Sequence, residues 1–202
     1  MNAVSKILGE AKRPHTPRGV PLRRAGMRWG PKSEASIAKY PYAAYHYAKD
    51  VIKGRFPEAE VTIAKDPEVA VDYAKNVIKA RWPEAEEAIA KSPGWAVYYA
   101  KDVIQGRFPE AEEAIAKDPE RACWYARDVI KGRWPEGEEA ISKDAEMALD
   151  YASDVIEGRW PEGEEAIAGY PYLSKQYLKW FPEAKLDWAL KGWIPMGDIW
   201  GV

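Results

Sequence analysis

The sequence predicts an all-α fold, a right-handed α-solenoid of about six stacked two-helix repeats with a basic N-terminal arm and a hydrophobic C-terminal cap. The string Arg-Trp/Phe-Pro-Glu recurs every 26 residues, starting at Arg55, Arg81, Arg107, Arg133 and Arg159. A second set of prolines keeps the same period, with one replacement by alanine, at Pro41, Pro67, Pro93, Pro119, Ala145 and Pro171. Self-similarity at a fixed period of this length is the signature of proteins that stack repeated units.

Three segments follow from where the period begins and ends. A unit upstream of the first full string begins near Trp29, and a shortened echo, Phe181-Pro182-Glu183-Ala184, closes the array. We therefore assign residues 1–28 to a Pro/Gly-rich basic arm, 29–180 to the repeat array and 181–202 to the cap. The cap has few charges and carries large apolar side chains, at Trp188, Trp193, Ile194, Met196, Ile199 and Trp200. This composition predicts a lid over the last open unit, and a partner-docking tail is the alternative.

Each unit is predicted to hold a short helix and then a longer one. Pro83 to about Lys91 forms the short helix, since proline suits the first helical turn, where its missing N–H is not needed. Ser92 and Pro93 then supply an N-cap and a first helical residue, as Asp-Pro does in other units. A glycine is expected to end the longer helix in the left-handed conformation, at Gly54, Gly106, Gly132 and Gly158.

The longer helix carries an apolar stripe that we expect to be core. In the second unit the stripe is Ala70, Tyr73, Ala74, Val77 and Ile78, which recur at helical spacing. Two helices within 26 residues cannot bury this stripe by themselves. Neighbouring units must therefore stack on one another.

The unit resembles two known kinds of tandem repeat. Its period and its alternation of short and long helices resemble leucine-rich-variant and HEAT-like helical repeats. The string Tyr-Ala-Lys-Asp-Val-Ile-Lys-Gly-Arg-Phe-Pro-Glu-Ala-Glu is similar to tandem repeats in uncharacterised proteins of tailed bacteriophages and large DNA viruses, over roughly residues 37–180. This resemblance implies a phage or viral origin, with the host cytoplasm or the virion as location, and it carries no catalytic residues.

Composition excludes several function classes. One cysteine, Cys123, and two histidines exclude a disulfide framework and most zinc sites, and we expect no cofactor. No run approaches the length of a membrane-spanning helix, and the N-terminus lacks an apolar export segment. The sequence therefore predicts a soluble, cytoplasmic protein without membrane contact, and it leaves the oligomeric state open.

Charge is distributed unevenly along the chain. Residues 1–32 hold eight basic and one acidic residue, a net charge of +7, whereas the remaining 170 residues hold 22 basic and 31 acidic residues, a net charge of −9. A basic arm is thus joined to an acidic body. The arm residues expected to bind phosphates are Arg13, Arg18, Arg23 and Arg24.

Features shared by all repeats indicate architecture. The repeated arginines are expected to form a ladder beside the glutamates three residues on (Glu58, Glu84, Glu110, Glu136 and Glu162), where they pair between units; a phosphate track is the alternative. The aromatic residue after each arginine is expected to pack at the helix junction, with stacking against bases as the alternative.

Features that differ between repeats indicate function. On the longer helix, the third and sixth positions vary and include Trp95, Tyr98, Arg121 and Trp124 in two adjacent units. Three aromatic rings with an arginine form a plausible binding hot spot for a protein or a stacked nucleotide. The alternative is that these side chains only cover the seam between units.

An enzyme is not expected. Paired carboxylates such as Glu86 and Glu87 occur once per unit, whereas an active site is normally built once, so the pairs are interpreted as solvated helix faces. Asp50 follows His46 by four residues and could orient its imidazole, yet no phosphate loop or nucleophile motif is present. Cys123 is interpreted as a packing residue.

Three functional hypotheses follow. The first is a non-catalytic interaction protein that binds a host or virion protein. The second is nucleic-acid or nucleotide binding through the basic arm and the repeat aromatics, which the negative charge of the body opposes. The third is a structural component of a virus particle.

Overall fold

The computed structural model describes residues 31–184 and residue 186, with side chains from Ser33 onward. Within this range every regular element is helical and no strand is present. Successive helices pack against their neighbours, which confirms the predicted α-solenoid. The arm, with Arg13, Arg18, Arg23 and Arg24, and most of the cap lie outside the described residues.

Twelve α-helices are described, and they alternate between the first and the second helix of each unit. They are α1 Pro31–Ile37, α2 Pro41–His46, α3 Pro57–Ile63, α4 Pro67–Tyr73, α5 Pro83–Ala90, α6 Pro93–Tyr99, α7 Pro109–Ile115, α8 Pro119–Tyr125, α9 Pro135–Ile141, α10 Ala145–Tyr151, α11 Pro161–Ala168 and α12 Pro171–Trp180. Five second helices continue into π-helical turns, at Tyr47–Ile52, Ala74–Ile78, Ala100–Ile104, Ala126–Ile130 and Ala152–Ile156.

The helices begin where the prolines predict. Proline occupies the start of α2 to α9, and an extended N-cap residue precedes each second helix from α4 to α10. The Asp118 carboxylate accepts a hydrogen bond from the backbone N–H of Arg121 at 3.0 Å, and Asp66 and Asp144 cap their helices in the same way. Ser92 takes the N-cap position, but its side chain makes no capping hydrogen bond.

The glycine that follows each second helix is not the left-handed residue, so that prediction was wrong. The residue before it has the positive φ, with values of 52° to 61° at Lys53, Lys79, Gln105, Lys131 and Glu157. The final turn is π-helical, so the Lys53 N–H already bonds to the Ala48 carbonyl, and the Gly54 N–H bonds to the same oxygen at 3.1 Å. The wider π-helical turn thus places the left-handed residue one position before the glycine. In the second unit Ala80 occupies the position of this glycine.

One continuous apolar core runs through the array. It extends from Ile37 to Leu186 and is built mainly from alanine, tyrosine and isoleucine side chains. In the predicted stripe, Ala70, Tyr73 and Ala74 are fully buried, whereas Val77 and Ile78 are only partly buried against this core. Stacking of the units, and not any single unit, therefore removes these side chains from water.

The ends of the described array differ from its middle. Tyrosines flank the first proline of the terminal second helices, and all four are at least half exposed: Tyr40, Tyr42, Tyr170 and Tyr172. Beyond α12, Ala184 and Leu186 are buried and belong to the common core. The cap residues on which the lid prediction rests, from Trp188 to Trp200, lie outside the described residues.

Candidate functional site

The repeated arginine, glutamate and tyrosine form a closed network within each unit. Arg107 donates two hydrogen bonds, of 2.7 and 2.6 Å, to the two carboxylate oxygens of Glu112. The Tyr125 hydroxyl donates to Glu112 at 2.8 Å and accepts the Phe108 backbone N–H at 2.8 Å. The same network recurs around Arg55, Arg81, Arg133 and Arg159.

This network corrects the predicted arginine ladder. The main partner of each arginine lies five residues on, not three, because Glu112 faces the second helix of its own unit, where Tyr125 fixes it. The predicted pairing between units is also present, at longer N···O distances: 3.8 Å for Arg81–Glu110, 4.0 Å for Arg107–Glu136 and 3.8 Å for Arg133–Glu162. The guanidinium groups are therefore engaged by carboxylates and do not form a free track for phosphates.

The network also perturbs the titration of its members. Hydrogen bonds from Arg107 hold the pKa of Glu112 below its usual value, although burial opposes this effect. Burial, above all, raises the pKa of Tyr73 to about 12. Both shifts favour the charge states that close the network, an ionised carboxylate and a neutral phenol.

The repeated aromatic residues are buried, as the packing interpretation predicted. Phe56, Trp82, Phe108, Trp134 and Trp160 are each no more than 3% exposed. Each packs beside a core tyrosine, with ring centroids 4.9 Å apart for Tyr125 and Trp134. These rings are thus inaccessible to nucleic-acid bases.

Only the second carboxylate of each pair is solvated, so the interpretation of both as a solvated helix face was partly wrong. Glu86 is 9% exposed, since Arg81 and Tyr99 bind it. Glu87 is exposed and pairs with Lys91 at 2.7 Å. The first glutamate of each pair is structural, and the second is a surface residue.

Ion pairs that the sequence analysis missed link the second helices of adjacent units. Lys75 pairs with Asp102 at 2.7 Å, and Lys101 pairs with Asp128 at 2.8 Å. Both pairs span 27 residues, one more than the repeat, so the signal was present in the period. Asp102 and Asp128 lie four residues after Tyr98 and Trp124, and their ion pairs serve stacking.

The predicted binding residues lie on two second helices of adjacent units that pack against each other, α6 and α8. We call Trp95, Tyr98, Arg121 and Trp124 the aromatic patch. The rings of Trp95 and Tyr98 lie 5.6 Å apart, and the Arg121 guanidinium carbon lies 4.5 Å from the centre of the Trp124 ring. Tyr98 is 41% exposed, whereas Trp95 and Trp124 are partly buried against the core. The patch both covers the seam and faces outward.

Gly94 joins the two halves of the aromatic patch and was missed by the sequence analysis. A Cβ atom placed at Gly94 would lie 3.4 Å from Nε of Arg121, so Arg121 packs across the start of α6. The signal was available, because the corresponding residue is glutamate in three other units: Glu68, Glu120 and Glu146. The missing side chain leaves room for Arg121.

Acidic side chains are depleted around the aromatic patch. Ser92 stands where three other units have the N-cap aspartates Asp66, Asp118 and Asp144. Tyr98 and Trp124 stand where the flanking units have Asp72 and Asp150. Together with Gly94, these differences remove four carboxylates that other units carry at the same positions, whereas Asp118 and Glu120 remain at the start of the helix of Arg121.

The remaining candidate residues are not assembled into a reactive site. Cys123 is 1% exposed, and burial raises the pKa of its thiol to about 12, which disfavours the nucleophilic thiolate. His46 Nδ1 lies 3.3 Å from the Asp50 carboxylate on the first unit. Among the residues described, no three potential metal ligands cluster.

Comparisons with known proteins add no functional assignment. No protein-family model, no curated protein and no solved structure matches this chain. None of the described helices has the length and hydropathy needed to cross a membrane.

Proposed function

We propose that this chain is a non-catalytic helical-repeat protein that binds a protein partner through the aromatic patch. The observation that carries the proposal is the pairing of Trp95 with Tyr98 and of Arg121 with Trp124 on adjacent second helices. At the same two positions no other unit has a tryptophan, a tyrosine or an arginine; the pairs there are Ala43/His46, Val69/Asp72, Met147/Asp150 and Leu173/Gln176. The other units stack without Trp, Tyr or Arg at these positions, so stacking does not require them.

The composition of the patch favours a protein partner. Binding hot spots are enriched in Trp, Tyr and Arg, and truncation of such a residue costs about 2 kcal/mol or more of binding free energy. The Trp95 and Trp124 rings are already held against the core, so binding would immobilise little of their side-chain freedom. The resemblance of the repeat to phage and viral sequences makes a host or virion protein the partner class to examine first.

Quantitative co-purification with matched variants tests this proposal. Tyr98→Ala removes an exposed ring from the patch, and Tyr172→Ala removes an exposed ring from the last unit. We expect a specific partner to be captured by the wild-type chain and by Tyr172→Ala, and to be lost from Tyr98→Ala. A partner retained by Tyr98→Ala and by Trp124→Ala would contradict the proposal.

The net charge of +7 in residues 1–32 favours a second candidate, nucleic-acid binding by the arm. Each neutralised phosphate releases counterions, so the logarithm of the binding constant should fall with the logarithm of salt concentration at a slope of about −3 to −5. A partner held by the aromatic patch should show weak salt dependence. Titration of a generic oligonucleotide, with and without residues 1–28, separates the two candidates.

A further inference from the structure

Arg121 differs from every other arginine that the structure describes. Of the seven arginines in the described residues, six donate guanidinium hydrogen bonds to carboxylates: Arg55, Arg81, Arg107, Arg127, Arg133 and Arg159. Arg121 lies 3.3 Å from the Glu120 carboxylate, but within the described part of the chain its guanidinium donates no hydrogen bond. Its N–H donors are therefore not saturated, and a ligand carboxylate would share the guanidinium with the exposed Glu120 side chain.

The surroundings of Arg121 hold it in place without using those donors. The guanidinium carbon lies over the Trp124 ring, 4.5 Å from its centre, in a cation–π contact. A Cβ atom at Gly94 would lie 3.4 Å from Nε, so a longer side chain at this position would start beside the guanidinium. The side chain is 26% exposed, so a ligand can reach its edge.

Acidic side chains are depleted on the aromatic patch, although Glu120 remains beside Arg121. Ser92, Gly94, Tyr98 and Trp124 replace four acidic residues that other units carry at the same positions. The rest of the body is acidic, with a net charge of −9 in residues 33–202, which disfavours a long polyanion. A single carboxylate flanked by apolar groups fits this pattern better than a nucleic-acid backbone does.

We propose that the aromatic patch binds a peptide segment of its partner in which an Asp or Glu lies next to a large apolar side chain. The carboxylate accepts hydrogen bonds from the edge of the Arg121 guanidinium, a geometry that arginine supplies in planar, paired form. The apolar side chain packs on the rings of Trp95, Tyr98 and Trp124. This inference rests on the proposed function and specifies the chemistry of the partner.

Selection from a display library of random dodecapeptides tests the inference. We expect the wild-type chain to enrich peptides with Asp or Glu within a few residues of an aromatic or leucine residue. An enriched peptide is then synthesised in two forms, one with its acidic residue and one with Asn or Gln in place of that residue. The amide form should bind the wild-type chain about tenfold more weakly than the acidic form. The two forms should bind the Arg121→Gln variant with the same weak affinity, measured by fluorescence anisotropy.

Gly94→Glu provides a second variant that should fold normally, because glutamate occupies this position in three other units. Its carboxylate would lie beside Arg121 and compete with the peptide, so we expect binding to fall by about tenfold or more. Tyr172→Ala, remote from the patch, should bind like the wild type.

The outcomes distinguish this inference from the proposed function. Enrichment of apolar peptides without acids, equal binding of the acidic and amide forms, or no enrichment at all would overturn the inference. If apolar peptides without acids are enriched and bind Trp124→Ala more weakly than the wild type, the proposed function stands although the inference fails. If acidic peptides bind Trp124→Ala and Gly94→Glu as tightly as the wild type, the inference and the proposed function both fail. Competition by an oligothymidylate at physiological salt would reassign Arg121 to phosphate and overturn the inference.

Discussion

The Trp134 indole lies directly against Gly137, so that a Cβ atom added to Gly137 would fall 2.6 Å from Cε3 of the ring. Trp160 and Gly163 show the same relationship at 2.6 Å. The smaller Phe108 is instead followed by Ala111, and both are fully buried. In the orientation of Trp134 and Trp160, the indole thus leaves no room for a Cβ atom three positions later.

Gly137→Ala should destabilise the protein despite the better helix propensity of alanine. The propensity gain is about 1 kcal/mol, whereas forcing a buried tryptophan to shift costs about 1 to 3 kcal/mol. Trp82 shows where the ring would move, since it coexists with Ala85 and makes an angle of 45° with its tyrosine, compared with 58° for Trp134. Urea unfolding measures the change, and an increase in stability would contradict this account.

Adding Trp134→Phe should rescue Gly137→Ala, because the pair then matches Phe108 and Ala111. The indole N–H of Trp134 is buried without an acceptor among the described residues, and phenylalanine removes that unpaired donor. We expect the double variant to be more stable than the sum of the single variants predicts, by about 1 kcal/mol or more. Strict additivity would show that the ring and the glycine are independent.

Tyr99→Phe and Tyr98→Phe form a matched pair one residue apart. Tyr99 is fully buried, and its hydroxyl accepts the Trp82 backbone N–H at 2.6 Å and donates to Glu86. Its loss leaves a buried N–H unpaired, which costs about 1 to 3 kcal/mol of unfolding free energy. Tyr98→Phe, on the exposed face, should change stability by less than about 0.5 kcal/mol. Equal effects in denaturant titrations would argue against the network.

Stability should fall as the solution is acidified below the ordinary glutamate pKa. The folded state lowers the pKa of Glu60, Glu86, Glu112, Glu138 and Glu164, chiefly through the paired arginine. Their contribution is therefore complete above the unfolded pKa of about 4.3 and is lost as pH falls through the lower, folded values. Melting curves from pH 7 to 3 check this, and Glu112→Gln should make the melting temperature depend less steeply on pH. A steeper dependence of the melting temperature on pH in that variant would be inconsistent with the network.

Deletion of residues 1–28 should leave helicity and the melting temperature almost unchanged. Residues 1–28 precede the 26-residue period, and the described core is built from residues between 37 and 186. Circular dichroism of the truncated chain tests this expectation. Loss of cooperative unfolding would place the arm within the first unit.

Much of the fold was predictable because its determinants are local. Proline fixes φ and lacks an N–H, so Pro93 and Pro119 mark helix starts without knowledge of tertiary contacts. The helix ends were mispredicted by one residue, since a π-helical turn depends on how Ala100–Ile104 packs and not on Gly106 alone. Periodicity predicted stacking but did not predict the pairing of Arg107 with Glu112, which depends on where Tyr125 lies.

The candidate site was predictable only in part. Comparison of the units identified Trp95, Tyr98, Arg121 and Trp124, because variation against a constant background is visible in the sequence. Gly94 escaped notice, since its importance lies in a side chain that is absent, and Ser92 was interpreted only as an N-cap. Contact between Gly94 and Arg121 requires the lateral packing of two units, which the period alone does not specify.

The central claim is tested most directly by replacing the aromatic patch with residues from the flanking units. The variant combines Trp95→Val, Tyr98→Asp, Arg121→Met and Trp124→Asp, which are the residues found at these positions in the second and fifth units. We expect a melting temperature within about 4 °C of the wild type, because these residues already fit the same stack. Side-by-side quantitative co-purification should then show complete loss of the wild-type partner. Retention of that partner by a folded four-site variant would contradict the account.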